Sequence, residues 1–289
     1  MHDGTFQLLA SRRFLPLFVA QFLGAANDNL FKNALVILII YRLGDHAGMP
    51  PQVLVTAAAG LFILPFFLFS ATAGQLSDRL EKSGLVRRVK LAEVALAFLG
   101  AWSLMSASVT GMLVVLFLFG LQATFFGPIK YAILPELLER GELIGGNALI
   151  EGGTFLAILL GTIAGGVLVL TEGGPAMVSA LMVLLAAAGY GASRFLPPAH
   201  AGNPDVVIRP NVLRETIRVL GLIRGRRDIF LSVLGISWFW LVGATYLAQF
   251  PAFAKDVLVA DQHAVTLMLT AQQKGLQVMV RNPSTSPSQ

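Results

Sequence analysis

Residues 143–170 read LIGGNALIEGGTFLAILLGTIAGGVLVL, and Glu151 is the only ionisable side chain among them. A soluble helix of that length carries a polar face for water. This stretch has none, and about 20 apolar residues already suffice to cross the hydrocarbon core of a bilayer. It therefore predicts a transmembrane helix. Gly152, Gly161, Gly165 and Gly166 place small residues along it. Helices in lipid gain no hydrophobic energy from touching one another and meet through such residues, so the expectation is close helix packing rather than a ligand site.

Six further apolar runs, at about 14–41, 53–76, 89–108, 112–134, 176–196 and 229–253, bring the expected spans to seven. Pro16, Pro65 and Pro128 fall within three of them. A membrane bundle tolerates such prolines where its neighbours satisfy the freed carbonyls. The predicted fold class is an all-α, polytopic membrane helix bundle. Composition agrees: of 289 residues 55% are hydrophobic and 13% charged, with a mean hydropathy of +0.73, whereas soluble domains are about a quarter charged.

Lysine and arginine orient the bundle, because short loops rich in them stay in the cytoplasm. Arg12 and Arg13 precede the first span, Arg79, Lys82, Arg87, Arg88 and Lys90 lie between the second and third, and Arg140 lies between the fourth and fifth. The opposite connections hold only Arg42. The amino terminus is thus expected in the cytoplasm. Arg12-Arg13 ahead of an apolar run with Gly24-Ala25-Ala26 has the outline of a cleaved leader, but apolar residues resume from Ala34 to Ile40 and favour a span.

Several function classes drop out. With no cysteine there are no disulfides, thiolate metal sites or cysteine nucleophiles. The net charge of +5 is spread over loops rather than over a basic face with stacking aromatics, so nucleic acid is not the expected partner. No phosphate loop, His-Glu-x-x-His or serine elbow occurs, and His2, His46, His200 and His263 have no metal-ligand spacing. Neither an enzyme, a cofactor nor a metal site is expected.

Four segments follow: a six-span unit at 1–197, a basic cytoplasmic linker at 198–228, a seventh span at 229–254 and a polar tail at 255–289. In the linker, residues 212–223 have an amphipathic helical pattern with Arg214, Arg218, Arg224, Arg226 and Arg227 around it. It reads either as a lipid-headgroup or partner contact or as a tether that enforces topology.

Ionisable residues inside a span are costly and mark a pathway or a pair. Asn27-Asp28-Asn29 with Lys32 lies near the middle of the first span. Asp28 and Lys32 are four apart with the acid first, which suits an intrahelical pair; the alternative is a substrate or coupling-ion role. Lys130 on the fourth span and Asn147 and Glu151 on the fifth lie toward the cytoplasmic side. Lys130 and Glu151 either tie two helices together or present a cation for a phosphate and an acid for an amine. Glu93, near the inner end of the third run, is expected to snorkel to the interface.

The loop Gly74-Gln75-Leu76-Ser77-Asp78-Arg79-Leu80-Glu81-Lys82 resembles the signature loop of the major facilitator superfamily, with Glu81-Lys82-Ser83 where the pattern has glycine-arginine-arginine. The resemblance implies a charge network around Gly74, Asp78 and Arg79 that helps gate alternating access. It also implies the N-terminal six-helix half of that fold plus a seventh span. Ala20-Gln21-Phe22-Leu23-Gly24-Ala25-Ala26-Asn27-Asp28-Asn29, Gly127-Pro128-Ile129-Lys130-Tyr131-Ala132-Ile133-Leu134-Pro135-Glu136-Leu137 and Asn147-Ala148-Leu149-Ile150-Glu151-Gly152 resemble the superfamily's lysophospholipid transporter branch. That branch is also found fused ahead of an acyltransferase and an acyl-carrier-protein ligase. It implies inward flipping of lysophospholipid across a bacterial inner membrane, with membrane lipids and an acyltransferase as partners. Asp28, Asn29, Lys130 and Glu151 are the implied substrate or gating residues: Lys130 for the phosphate, Glu151 and Asp28 for the amine or for gating. The alternatives are a major facilitator exporter of drugs or small solutes, and a non-transporting membrane partner of an acyltransferase. Major facilitators have twelve spans, whereas this sequence turns polar after Thr270, so the expectation is a chain truncated or frameshifted there and inactive as a fragment.

Overall fold

The computed structural model describes residues 3–43, 48–200, 202–203, 205–206, 208 and 212–256. Helices are α1 (Asp3–Gln7), α2 (Leu15–Leu38), α3 (Pro51–Arg79), α4 (Lys82–Met105), α5 (Val109–Ala132), α6 (Leu134–Leu137), α7 (Leu143–Leu168), α8 (Gly174–Ser193), α9 (Val212–Arg224) and α10 (Arg227–Asp256). A π turn, Ile39–Leu43, extends α2. Helices are the only way for a single strand of backbone to satisfy its own polar groups in lipid. Five of them, Leu15–Leu43, Pro51–Arg79, Val109–Ala132, Leu143–Leu168 and Gly174–Ser193, are long and apolar enough to cross a membrane.

The other two expected spans form as the long helices α4 and α10, and α4 differs from expectation in where it starts. It begins at Lys82, because the Glu81 carboxylate caps it by accepting hydrogen bonds from Ser83 N at 2.9 Å and Gly84 N at 2.5 Å. The basic stretch read as a loop is therefore its first turns. Lys90, expected among the loop cations, lies inside the bundle, and Glu93 sits about three turns into the helix. The amphipathic segment of the linker is the helix α9, and residues 257–289 with His2, His46 and His263 lie outside the described residues.

α2 is central. It packs along α7 and α8, while α3 packs along α5, and α4 bridges α5 and α8. Exchanging α2, α3, α4 for α5, α7, α8 maps this neighbour pattern onto itself, so the bundle is built from two three-helix units. α2 and α7 run parallel in register: Arg13 meets Glu142 at 2.7 Å, Gln21 Nε2 donates to Ile150 O at 3.3 Å, and Asn33 Nδ2 donates to Thr162 O at 2.7 Å, each pair 129 residues apart. Their approach requires glycine. A Cβ on Gly161 would strike the Ala26 carbonyl, and one on Gly165 the Leu30 carbonyl. The expected close packing thus holds there, whereas Gly152 faces open space.

The core joins Leu30, Phe31, Leu35, Leu54, Ala97, Met112, Phe119 and Met182, and Phe31 and Phe119 approach to 5.5 Å between ring centroids. Outward positions are apolar too, with Phe67 62% and Trp102 66% exposed. A helix apolar on all sides is a helix in lipid. This is a multi-pass membrane protein.

Candidate functional site in the bundle interior

Three buried polar residues from three helices lie at the halfway points of those helices: Asp28 on α2, Glu93 on α4 and Gln122 on α5. Lys90, one turn before Glu93, completes a network. Its Nζ lies 2.7 Å from Glu93 Oε2, which also accepts from Gln122 Nε2 at 3.0 Å, and the Lys90 and Glu93 side chains are 1% and 0% exposed. Gly24 on α2 makes room for the ammonium, since a Cβ there would collide with Lys90 Nζ, and the Phe126 ring covers it at 4.7 Å from the centroid. A buried ion is tolerable only when paired and further hydrogen-bonded, and this one is both. Glu93 therefore does not snorkel; a side chain that deep has no interface within reach.

Asp28 differs. It is 9% exposed, its Oδ1 is buried without a hydrogen-bond partner, and no ion pair forms to Lys32 among the described residues. The Lys32 ammonium instead lies over the Phe62 ring of α3, 5.4 Å from its centroid. Asn29 bonds back to its own helix through Ala25 O at 2.8 Å, and its Oδ1 is buried and unpartnered, as are both polar atoms of the Asn27 side chain.

Lys130 and Glu151 form a second locus, at the end of α5 and in the first third of α7. They do not pair directly. Lys130 Nζ lies 4.9 Å from the Tyr131 ring centroid, and the Tyr131 hydroxyl donates to Glu151 Oε1. Asn147 donates to Leu143 O at 2.8 Å within its own helix. The charges that reach Asp28 are Glu93, Lys90 and Lys32, and those that reach Lys130 are Glu151 and Lys90, so Lys90 stands between the two loci.

The family model of the major facilitator superfamily matches residues 17–276, nine-tenths of the chain. The chain belongs to the major facilitator superfamily. The two three-helix units agree with the internal repeats of major facilitator halves. Among similar proteins, the Lysophospholipid transporter LplT of Serratia proteamaculans is 30% identical over 274 residues, covering 90% of this chain and 62% of that protein. The same-named proteins of Cronobacter sakazakii and Salmonella typhi are each 29% identical, over 82% and 81% of this chain and 56% of theirs. The chain spans 56 to 62% of the length of these relatives.

In this major facilitator the signature loop is held through its backbone and its neighbours. Asp78 and Arg79 are exposed and make no side-chain ion pair among the described residues. Asp78 O accepts from Asn203 N at 2.8 Å, and a Cβ on Gly202 would strike Asp78 O. Gly74 has open space at its Cβ position. Lys82 pairs with Glu136 at 2.6 Å, and Glu136 Oε2 accepts from His200 N at 2.8 Å, so the loop, α6 and the segment after α8 are clasped together. Sequence reasoning missed Lys90 and Gln122 as interior groups. The available signal was Leu85, Val86 and Val89, apolar positions one turn apart that thread the basic stretch and mark it as helix.

Proposed function

We propose that the protein carries lysophospholipid, chiefly lysophosphatidylethanolamine, inward across a bacterial inner membrane. The amino terminus, the α3–α4 connection at 80–81 with the first turn of α4, and the linker at 198–228 lie on the cytoplasmic side, and α10 supplies a seventh span after the six-span unit of 1–197. The observation that carries this reading is a buried Asp28 at mid-helix, with no hydrogen bond or ion pair among the described residues, in a chain similar over most of its length to lysophospholipid transporters. A buried carboxylate with no protein partner is a place kept for a cationic group. Asp28 and Glu151 receive the headgroup amine or act in gating, Asn29 stands beside Asp28, and Lys130 meets the phosphate nearer the cytoplasmic end. Gly74, Asp78 and Arg79 form the gate loop. An acyltransferase that reacylates the delivered lipid is the partner this role calls for, tested by co-purification.

The deciding experiment is uptake of labelled lysophosphatidylethanolamine by inner-membrane vesicles from cells that express the gene and lack lysophospholipid import of their own. Uptake that drops at least tenfold with Asp28→Asn supports the reading. Absence of uptake together with expulsion of drug-like solutes replaces it with an exporter.

A further inference from the structure

Asp28 and Lys32 stand one helical turn apart with the acid first, the order that normally closes into an ion pair on an isolated helix. Here the pair stays open. Among the described residues Asp28 makes no ion pair or hydrogen bond and its Oδ1 is buried, while the Lys32 ammonium is drawn to the Phe62 ring of α3, a cation–π contact at 5.4 Å. The interior thus presents, within one turn, a carboxyl group with no hydrogen bond or ion pair among the described residues and an ammonium held only by an aromatic face. A simple cation would be attracted by Asp28 and repelled by Lys32, and a simple anion the reverse. A group that carries both charges on a short arm satisfies the two ends together.

The other lysines do not serve this place. Lys90 is closed on Glu93 at 2.7 Å and wedged against Gly24. Lys130 belongs to the second locus: it is not among the charges that reach Asp28, which are Glu93, Lys90 and Lys32, and is itself reached by Glu151 and Lys90. We propose that, while the ammonium of a zwitterionic lysophospholipid headgroup is on Asp28, Lys32 binds its phosphodiester, so that Asp28 and Lys32 together read the headgroup. Lys130 takes the phosphate only at the second locus, nearer the cytoplasmic end. The proposal rests on the lysophospholipid reading and adds to it a residue and a selectivity. A lysine suits the task as a compact point charge for phosphate, and its flexible stem swings from Phe62 to the ligand.

The test is equilibrium binding to the purified full chain in neutral detergent, using three probes with one acyl chain: lysophosphatidylethanolamine, lysophosphatidylglycerol, which has the phosphate but no ammonium, and a monoacylglycerol, which has neither. Lys32→Met is expected to weaken both phospholipids at least tenfold and leave the monoacylglycerol as it was, and Lys32→Arg to retain binding. Asp28→Asn is expected to weaken the ethanolamine lipid at least tenfold and spare the glycerol one. Should Lys32→Met not fold, Lys32→Gln carries the same expectation. A Lys32 variant that binds both phospholipids as the unsubstituted chain does overturns the proposal, for Asp28 and Lys32 then only neutralise each other. If the unsubstituted chain binds neither phospholipid, the lysophospholipid reading itself falls and the proposal with it.

Discussion

On α4, Lys90 and Glu93 lie three residues apart and meet at 2.7 Å; on α2, Asp28 and Lys32 lie four apart at similar depth and do not meet. Spacing alone does not separate them, since both suit a helical pair. The difference lies in third parties. Gln122 fixes Glu93 from α5, Gly24 clears a seat for the Lys90 ammonium and Phe126 covers it, so every neighbour favours closure. Phe62 instead competes for Lys32, and among the described residues no hydrogen bond or ion pair orients Asp28. Burial sharpens the contrast: at 1% and 0% exposure an unpaired ion is prohibitive, whereas partly exposed Lys32 retains some access to water. In the proposed reading the closed pair is scaffold, and the open one is held for a ligand.

Breaking the closed pair should produce the largest effect. Glu93→Leu or Lys90→Met alone leaves an uncompensated buried charge and is expected to destabilise the folded chain by about 3–5 kcal/mol. The double variant should recover most of that loss. Unfolding in detergent measures both, and a single variant as stable as the parent would erase the distinction between the two pairs. Next comes the wall behind the open pair. Gly161→Leu drives a side chain into the Ala26 carbonyl on α2, and overpacking of that kind costs about 1–3 kcal/mol. It should also shift Asp28, so lipid binding falls along with stability; stability loss with binding intact would mean that α2 tolerates displacement.

On the open side the same measurement should move little. Asp28→Asn removes a carboxyl that has no partner among the described residues, and the expected change is neutral to stabilising by about 1 kcal/mol, as is common where a site is kept ready for function at stability's expense. A loss comparable to that of Glu93→Leu would show that Asp28 is paired in the membrane and that the contrast is false.

The sequence made the apolar runs legible because lipid leaves no other reading for long uncharged stretches, and Gly161 and Gly165 were legible as contact residues for the same reason. It misplaced Lys90 and Glu93. Counting positive residues in loops says which side a connection lies on but not where a helix begins, and α4 begins at a cap supplied by Glu81, an acid that stands where the family pattern has glycine. Gln122 carries no signal within its run, since one amide among apolar residues reads the same facing lipid or interior. Asp28 and Lys32 were visible as candidates, but whether the pair is open depends on Phe62, thirty residues away on another helix, which no local rule reaches.

The smallest effect lies outside the bundle and adds a third carboxylate, partly exposed where Glu93 is buried. Burial pushes the Glu81 pKa upward, but backbone hydrogen bonds from Ala199, Gly84 and Ser83 outweigh it and hold the group below the usual carboxylate range. A depressed folded-state pKa gives stability that is complete above the unfolded value and lost as pH falls through the folded one. The cap on α4 and the tie to Ala199, at 3.0 Å, should therefore hold at neutral pH and release on acidification beyond the ordinary carboxylate range. Amide exchange at Gly84 and Ala199, corrected for intrinsic rates, should rise together over that window in the parent and show no such window in Glu81→Gln. Solvent screens this group, so the expected change in overall stability is slight. If Ala199 exchanges freely at neutral pH, Glu81 caps its helix alone, and the segment after α8 is held by Glu136, Arg87 and Ser83 without it.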